Sequence, residues 1–210
     1  MRTPLFIFVS LVLYSCTQSS PDFLSQARRD LSILASDSLA GREVGTEGEA
    51  LAAAYISKRF EALGLQPAGT AGWNQPFFVK ESQNPHEKPM LSAEDSTAGT
   101  SGKNVIGLMD NPGDEVVIIG AHFDHLGYGG FSSLHRGDSA IHNGADDNAS
   151  GITAMFLIAE MLQRKNIQTD VLFIAFSGEE KGLWCSNFSV QNPTIDLSTG
   201  DITINNDIAS

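Results

Sequence analysis

Two adjacent carboxylates, Glu179 and Glu180, follow an apolar and β-branched run of the chain at residues 170–177. The run has the composition of a buried strand, and Gly178 ends it. The pair is therefore predicted at the carboxyl end of a strand, where open α/β sheets place ligands and chemistry. Because adjacent carboxylates repel each other, a partly buried Glu-Glu pair needs a cation or a shared proton. An exposed acidic turn is the alternative for such a pair taken alone.

A second buried strand, predicted at residues 115–121, ends in the sequence His122-Phe123-Asp124. Side chains alternate between the two faces of a strand, so His122 and Asp124 are expected to point the same way. An imidazole backed by a carboxylate suits a metal site, because the carboxylate fixes the tautomer of the ring and raises its basicity. Taken alone, a His-x-Asp sequence is weak evidence for a metal.

A third segment, residues 143–151, has the sequence NGADDNASG and leads into an apolar helix. Each of the three segments lies at a junction between a strand and a helix. Their combination argues against a chance arrangement of metal-binding residue types. The sequence therefore predicts one metal site built from all three segments.

The motifs HFDH at residues 122–125, GADDNASG at residues 144–151 and SGEEKG at residues 177–182 occur in this order. Together they resemble the co-catalytic di-zinc aminopeptidases, the group that contains bacterial leucyl aminopeptidases and the glutamate carboxypeptidases. The resemblance covers about residues 22 to 210 of this sequence. It implies a metal-dependent exopeptidase, most simply an aminopeptidase, that acts on peptide substrates.

The resemblance also implies a role for each residue of the first two motifs. His122 binds one metal, and Asp124 orients the imidazole ring from behind. Asp147 bridges the two metals, whereas its neighbour Asp146 is not an expected ligand. The peptide bond between Asp147 and Asn148 is expected to be cis.

In the remaining segments, Glu179 is implied as the general base and Glu180 as a ligand of the second metal. Asp207, on a strand predicted at residues 201–208, is implied as a ligand of the metal that His122 holds. Imidazole and carboxylate ligands suit zinc, with cobalt or manganese as substitutes. Two zinc ions that share a carboxylate lower the pKa of a bridging water and polarise the scissile carbonyl. Glu179 then carries the proton of that water to the leaving amine.

One departure from the family pattern concerns histidine. Relatives supply a further His ligand from a later segment, and every histidine of this sequence precedes Asp207. We therefore interpret the chain as a fragment of a longer protein, incomplete at its C-terminus, and predict weak or no activity for the fragment alone. The remaining histidines near the crevice are interpreted as polar loop residues: His125, His135 and His142.

The N-terminus predicts export. Arg2 precedes an apolar run at residues 5–13 that is too short to span a bilayer, and the sequence LYSC ending at Cys16 resembles a lipoprotein signal-peptidase site. Cys16 would become the lipidated first residue at the cell envelope, on its periplasmic or surface side, and the lipid is the membrane contact that we expect. An ordinary secretory signal is the alternative. The predicted division is a signal peptide at residues 1–15, a tether at residues 16–21 and a zinc peptidase domain at residues 22–210.

Composition is that of an enzyme domain with one core. The chain has 210 residues, of which 41% are hydrophobic, and a formal net charge of −12. This charge argues against nucleic acid and anionic membrane surfaces as partners. With Cys16 lipidated, Cys185 has no partner for an intrachain disulfide and is interpreted as a structural thiol. The polar and non-periodic residues 80–103 predict a loop.

The elements that must position these residues form a βαβ pattern. Residues 115–121, 150–163 and 171–177 are predicted as strand, helix and parallel strand. Thr46-x-x-Glu49 is a capping-box pattern that predicts the start of another helix. With the resemblance, these elements predict an α/β fold of the zinc-exopeptidase type (phosphorylase/hydrolase-like): three αβα layers around a mostly parallel mixed central sheet.

Two alternatives remain within this fold. One is a glutaminyl-cyclase-like enzyme with a single zinc, against which the combination of His122, Asp124 and Asp207 favours two metals. The other is a non-catalytic binding module that has kept the peptidase fold. Such a module is expected to lose its base or its ligands, whereas this sequence keeps the residues for both.

Overall fold

The computed structural model describes residues 22–80, 89–94, 99–113, 115–130, 133–196 and 202–205. Within these residues the α-helices are α1 (Phe23–Leu34), α2 (Glu47–Ala62), α3 (Ser150–Leu162) and α4 (Trp184–Gln191). The strands are β1 (Gln66–Pro67), β2 (Asn74–Lys80), β3 (Met90–Ser92), β4 (Thr100–Met109), β5 (Val116–His122), β6 (Asp170–Phe176) and β7 (Ile202–Asn205). A 3₁₀ segment, Asp37–Arg42, joins α1 to α2.

The capping box predicted at the start of α2 forms only in part. Thr46 caps the helix, and its side chain accepts a hydrogen bond from the backbone N–H of Glu49 at 3.4 Å. The Glu49 carboxylate does not return this bond, because it accepts from the backbone N–H of Gly45 at 2.9 Å and from the hydroxyl of Ser177 at 2.6 Å. The glutamate of the capping pattern therefore ties α2 to the end of β6.

The seven strands form one mixed sheet. Along the sheet the order is β3-β2-β4-β6-β5-β7, and β1 pairs with β4 beside this path. The predicted βαβ unit is confirmed: β5 and β6 are adjacent and parallel, with α3 as the crossover. The expectation of a mostly parallel sheet needs correction, because the pairs of β5 with β6 and β7 are parallel and the other four pairs of described strands are antiparallel.

The antiparallel part of the sheet has a physical origin in its connections. Only residues 81–89 separate β2 from β3, and only residues 93–99 separate β3 from β4. Such short connections can join antiparallel strands, whereas parallel strands need a longer crossover. Strand β3 and the first residues of β4 fall in the polar segment at residues 80–103, which was predicted to be a loop. Its sequence lacks the apolar alternation that marks a strand.

Helices lie on both faces of the sheet. The expected three-layer arrangement is therefore confirmed in part. On one face, α1, α2 and α3 enclose the main core, where the ring of Phe60 contacts those of Phe156 and Phe173 at centroid distances of 5.9 and 6.3 Å. On the other face, α4 packs against β2 through Phe77 and Phe188, whose ring centroids are 5.8 Å apart.

Cys185 belongs to the α4 layer and is buried. Burial raises the pKa of this thiol well above its usual value, as expected of a structural cysteine and not of a nucleophile. Among the helices of the described residues, none combines the length and apolar character needed to cross a membrane.

Candidate metal centre

His122 is the last residue of β5 and is buried. The register of the parallel pair places His122 opposite Phe176, the last residue of β6. The two strands therefore end at the same edge of the sheet, and Glu179 and Glu180 lie just beyond that edge, both half-buried. The structure therefore places the HFDH and SGEEKG motifs at the same edge of the sheet.

Asp124 lies behind His122 and is fully buried. Its Oδ1 atom is 3.6 Å from Nδ1 of His122, and the same ring nitrogen is 3.2 Å from the backbone oxygen of Asp124. The two oxygens of this carboxylate also accept the backbone N–H groups of Glu179 and Glu180, at 3.1 and 3.4 Å. Asp124 therefore faces the imidazole ring, as the strand pattern indicated, and also holds the Glu-Glu turn.

Asp147 lies on the opposite side of the His122 ring, with its Oδ1 atom 3.1 Å from Nε2. It belongs to a turn, Ala145–Ala149, that leads directly into α3, and the backbone of Asp147 is not helical, with φ −114° and ψ 95°. The peptide bond between Asp147 and Asn148 is cis, as the resemblance implied. Gly144 opens the turn with a φ of +54°, and a Cβ atom there would lie 2.4 Å from the backbone oxygen of Asp147, so the turn requires glycine.

A second group of donor atoms lies beside the first. The group consists of a ring nitrogen of His125 and one carboxylate oxygen each of Asp147 and Glu180. These three atoms lie within 4.8 Å of one another. Within this group, Nδ1 of His125 is 2.6 Å from Oε1 of Glu180. Burial raises the pKa of Glu180, but the hydrogen bond and charge of His125 outweigh it, and the net pKa is below the usual value. Asp147 therefore contacts both groups.

His125 was interpreted from the sequence as a polar loop residue, yet the structure brings it into this group. The available signal was its place at the end of the HFDH motif, one residue after Asp124. Strand alternation did not reveal it, because β5 ends at His122 and the period of two does not extend into the following loop.

The remaining predicted residues are placed as follows. Asp146 is exposed and outside both groups, in keeping with the expectation that it is not a ligand. Asp207 and Cys16 lie outside the described residues, so the ligand role of the first and the lipidation of the second stay predictions.

Arg42 holds together the backbone around the centre and was not assigned a role from the sequence. Its guanidinium is buried and donates only to backbone oxygens among its described hydrogen bonds. The acceptors are Phe123 at 2.6 Å, Asn143 at 2.7 Å, Gly144 at 2.9 Å and, in α1, Leu34. One side chain therefore joins the end of β5 to the turn that carries Asp147.

The electrostatics of the centre favour cations. Burial lowers the pKa of His122, but the surrounding carboxylates outweigh burial and raise the pKa to about 9. These carboxylates belong to Asp124, Glu179 and Asp147. Burial lowers the pKa of Arg42 to about 10, while two of the same carboxylates oppose that fall. Below about pH 9 the His122 ring therefore carries a second proton, and the same carboxylates would also attract a metal ion.

The donor chemistry fits zinc. Imidazole nitrogens and carboxylate oxygens are zinc ligands, and a carboxylate that backs a ligating imidazole is a regular feature of zinc sites. Among the described residues, His122 and Asp147 would be able to hold zinc, and so would the group of His125, Asp147 and Glu180.

The sequence pattern of peptidase family M28 matches residues 104–210, more than half of the chain. The chain belongs to peptidase family M28. The match includes all three motifs of the metal centre and confirms the zinc-peptidase resemblance drawn from them. M28 membership also agrees with the mixed α/β fold of the chain.

The M28 chain is 28% identical over 148 residues to the alkaline phosphatase isozyme conversion protein of Escherichia coli (strain K12), and the aligned region covers 68% of this chain and 39% of that protein. The chain thus spans less than half the length of this curated relative.

The similar solved structures include two that show the fold of this chain. A Zn-dependent exopeptidase from Parabacteroides distasonis has a TM-score of 0.58 at 20% identity, with 84% of this chain and 59% of that chain covered. A glutaminyl cyclase from Bacteroides thetaiotaomicron has a TM-score of 0.61 at 16% identity, with 89% and 62% covered. At these identities the likeness shows the fold and not the reaction.

Proposed function

We propose that the protein is a metal-dependent exopeptidase, specifically an aminopeptidase that uses two zinc ions to remove N-terminal residues from peptides. The observation that carries the proposal is the position of Asp147. Its carboxylate lies 3.1 Å from Nε2 of His122 and also within the group formed with His125 and Glu180. A carboxylate shared by two sets of donor atoms is suited to hold two metal ions as close together as two-metal hydrolases need.

Each residue of the chain then has a task. Bound zinc would supply an acidified water and a polarised substrate carbonyl. Asp124 fixes the His122 ring by facing Nδ1, which leaves Nε2 directed at Asp147. The same carboxylate anchors the backbone of Glu179, so that its half-buried side chain is held at the edge of the centre. Glu179 accepts the proton of the water and donates it to the leaving amine.

The experiment is the substitution Glu179→Gln in the full-length protein, which keeps the shape of the side chain and removes its basicity. Hydrolysis of an aminoacyl anilide should fall about 100- to 10,000-fold, while the number of bound metal ions stays the same. Glu61→Gln is a matched control, because Glu61 is exposed near the end of α2. Unchanged turnover in Glu179→Gln would remove Glu179 as the base.

Different substrates in the same assay distinguish an aminopeptidase from a glutaminyl cyclase and from a binding module. An aminopeptidase hydrolyses a peptide with a free N-terminal amine and fails on the same peptide with an acetylated N-terminus. Cyclisation of an N-terminal glutamine without hydrolysis would indicate a glutaminyl cyclase instead. Metal binding without either reaction would support a binding module.

A further inference from the structure

We propose that His125 is a direct ligand of the second metal ion, together with Asp147 and Glu180. The inference rests on the proposed function, because it assigns one more residue to the same centre. It concerns the metal itself and not the reaction, so it can fail while the peptidase assignment stands.

The first support is the spacing of the donor atoms. A ring nitrogen of His125 and one oxygen each of Asp147 and Glu180 lie within 4.8 Å of one another. Ligands at the usual zinc distances in a tetrahedral site are separated by about 3.3 Å. Small side-chain rotations therefore bring all three atoms into one coordination sphere.

The second support is the packing that holds the His125 ring in place. A Cβ atom on Gly144 would lie 2.6 Å from Cγ of His125, so the backbone of the Asp147 turn presses against the imidazole. The backbone N–H of His125 donates to the oxygen of Arg42 at 3.4 Å. Only 12% of the His125 side chain is exposed. The ring is therefore held beside Asp147 and Glu180 and not in solvent.

The third support is the chemistry of the pair with Glu180. Nδ1 of His125 lies 2.6 Å from Oε1 of Glu180, which is the contact of a proton held between an imidazole and a carboxylate. A metal ion can take the place of that proton, because both atoms are zinc ligands once the proton has left. The alternative role is that His125 stays outside the coordination sphere and only orients Glu180 through this hydrogen bond.

The test is a cobalt titration of the 210-residue chain, in which calorimetry and visible absorption measure the binding of Co²⁺. We expect two Co²⁺ equivalents for the unaltered chain, and for His125→Ala a loss of the second equivalent or a fall of more than about 100-fold in its affinity. His135→Ala is the matched control, because His135 is exposed in the same loop and outside the donor group. It should keep both equivalents.

A second variant separates a ligand from a hydrogen-bond partner. In His125→Asn the amide can still donate to Glu180 but is a poor ligand for zinc or cobalt, so the second equivalent should again be lost. Paramagnetic proton spectra of the cobalt-loaded chain give an independent count, since each ligating imidazole contributes one shifted, exchangeable N–H signal. Two such signals are expected in the unaltered chain and one in His125→Asn.

Several results would overturn the inference. Retention of both equivalents in His125→Ala would do so, as would full rescue by His125→Asn or an unaltered chain that binds a single equivalent. Circular dichroism of each variant shows whether it is folded. The number of shifted N–H signals in the unaltered chain tests whether His125 is a ligand even if a variant does not fold. Peptidase turnover in the full-length protein is measured separately, so failure of the ligand assignment is distinguishable from failure of the proposed function.

Discussion

The carboxylate of Asp124 accepts a hydrogen bond from the backbone N–H of Glu179 at 3.1 Å, across 55 residues of sequence. The same carboxylate faces the ring of His122, so one buried side chain fixes both the imidazole that we propose as a metal ligand and the turn of the proposed general base. The distance between these two parts of the centre is therefore set by a single group and not by two independent loops.

Asp124→Asn tests this double role. The amide nitrogen replaces one oxygen acceptor, so at least one of the N–H groups of Glu179 and Glu180 loses its partner. We expect metal affinity and turnover each to fall about 10- to 100-fold. Metal titration and anilide hydrolysis measure the two effects. Asp110→Asn, at an exposed carboxylate, should change neither, and wild-type values in Asp124→Asn would contradict the double role.

Metal binding should depend on pH through His122. The carboxylates around it raise its pKa to about 9, against an ordinary value of 6.5, despite the opposing effect of burial. At pH 7 the metal-free ring is therefore protonated, and a metal ion must displace that proton. Affinity should rise about tenfold per pH unit from pH 7 towards pH 9 and then level off.

The stability of the metal-free chain should show the opposite trend. Because the folded-state pKa of His122 is raised, its contribution to stability is fully present below about pH 6.5 and is lost as the pH rises through about 9.

The pH dependence of metal binding is measured by titration calorimetry at several pH values, in buffers of different ionisation enthalpy, which gives proton release and metal affinity together. An affinity that is flat over this range would show that His122 is neutral before the metal binds.

Glu49→Gln should destabilise the fold. The buried carboxylate accepts from the hydroxyl of Ser177 and from the backbone N–H groups of Gly45 and Lys103, at 2.6, 2.9 and 3.0 Å. A glutamine turns an N–H₂ group towards at least one of these donors, at a cost of about 1–3 kcal/mol. Urea unfolding measures the loss. Glu47→Gln, at an exposed position in the same helical turn, should leave stability within about 0.5 kcal/mol of the wild type.

Arg42→Met should lower both stability and metal affinity. Its loss removes the guanidinium donor from four backbone oxygens, two of them in the segment that leads to Asp147, and of the four the oxygen of Gly144 keeps the N–H of Ala149 at 3.1 Å. We expect a loss of about 3 kcal/mol or more in the free energy of unfolding, because each buried acceptor without a partner is costly. Arg136→Met, at an exposed arginine, serves as the control in the same urea titrations. A stable Arg42→Met chain with unchanged metal affinity would show that the guanidinium does not hold the turn.

Local sequence patterns predicted much of the fold. The apolar strands and the apolar helix at the centre of the chain predicted the βαβ unit, since a parallel pair needs a crossover and α3 supplies it. The antiparallel edge was not predicted, because β3 and the start of β4 lie in a polar stretch without strand periodicity. Pairing with a neighbouring strand stabilises such a segment, and a neighbour is not visible in local sequence.

The sequence by itself determined the types of residue at the centre and the ends of the strands that carry them. His122, Asp124, Glu179 and Glu180 were predicted at strand ends from local signals, whereas the choice of Asp147 over Asp146 came from the resemblance to the di-zinc aminopeptidases. Tertiary structure alone decided that His125 joins Glu180, that Arg42 ties β5 to the Asp147 turn, and that Glu49 turns from its own helix cap to Ser177. The reason is physical: a buried polar side chain takes its partner from whichever segment packs against it, and that segment can lie more than a hundred residues away.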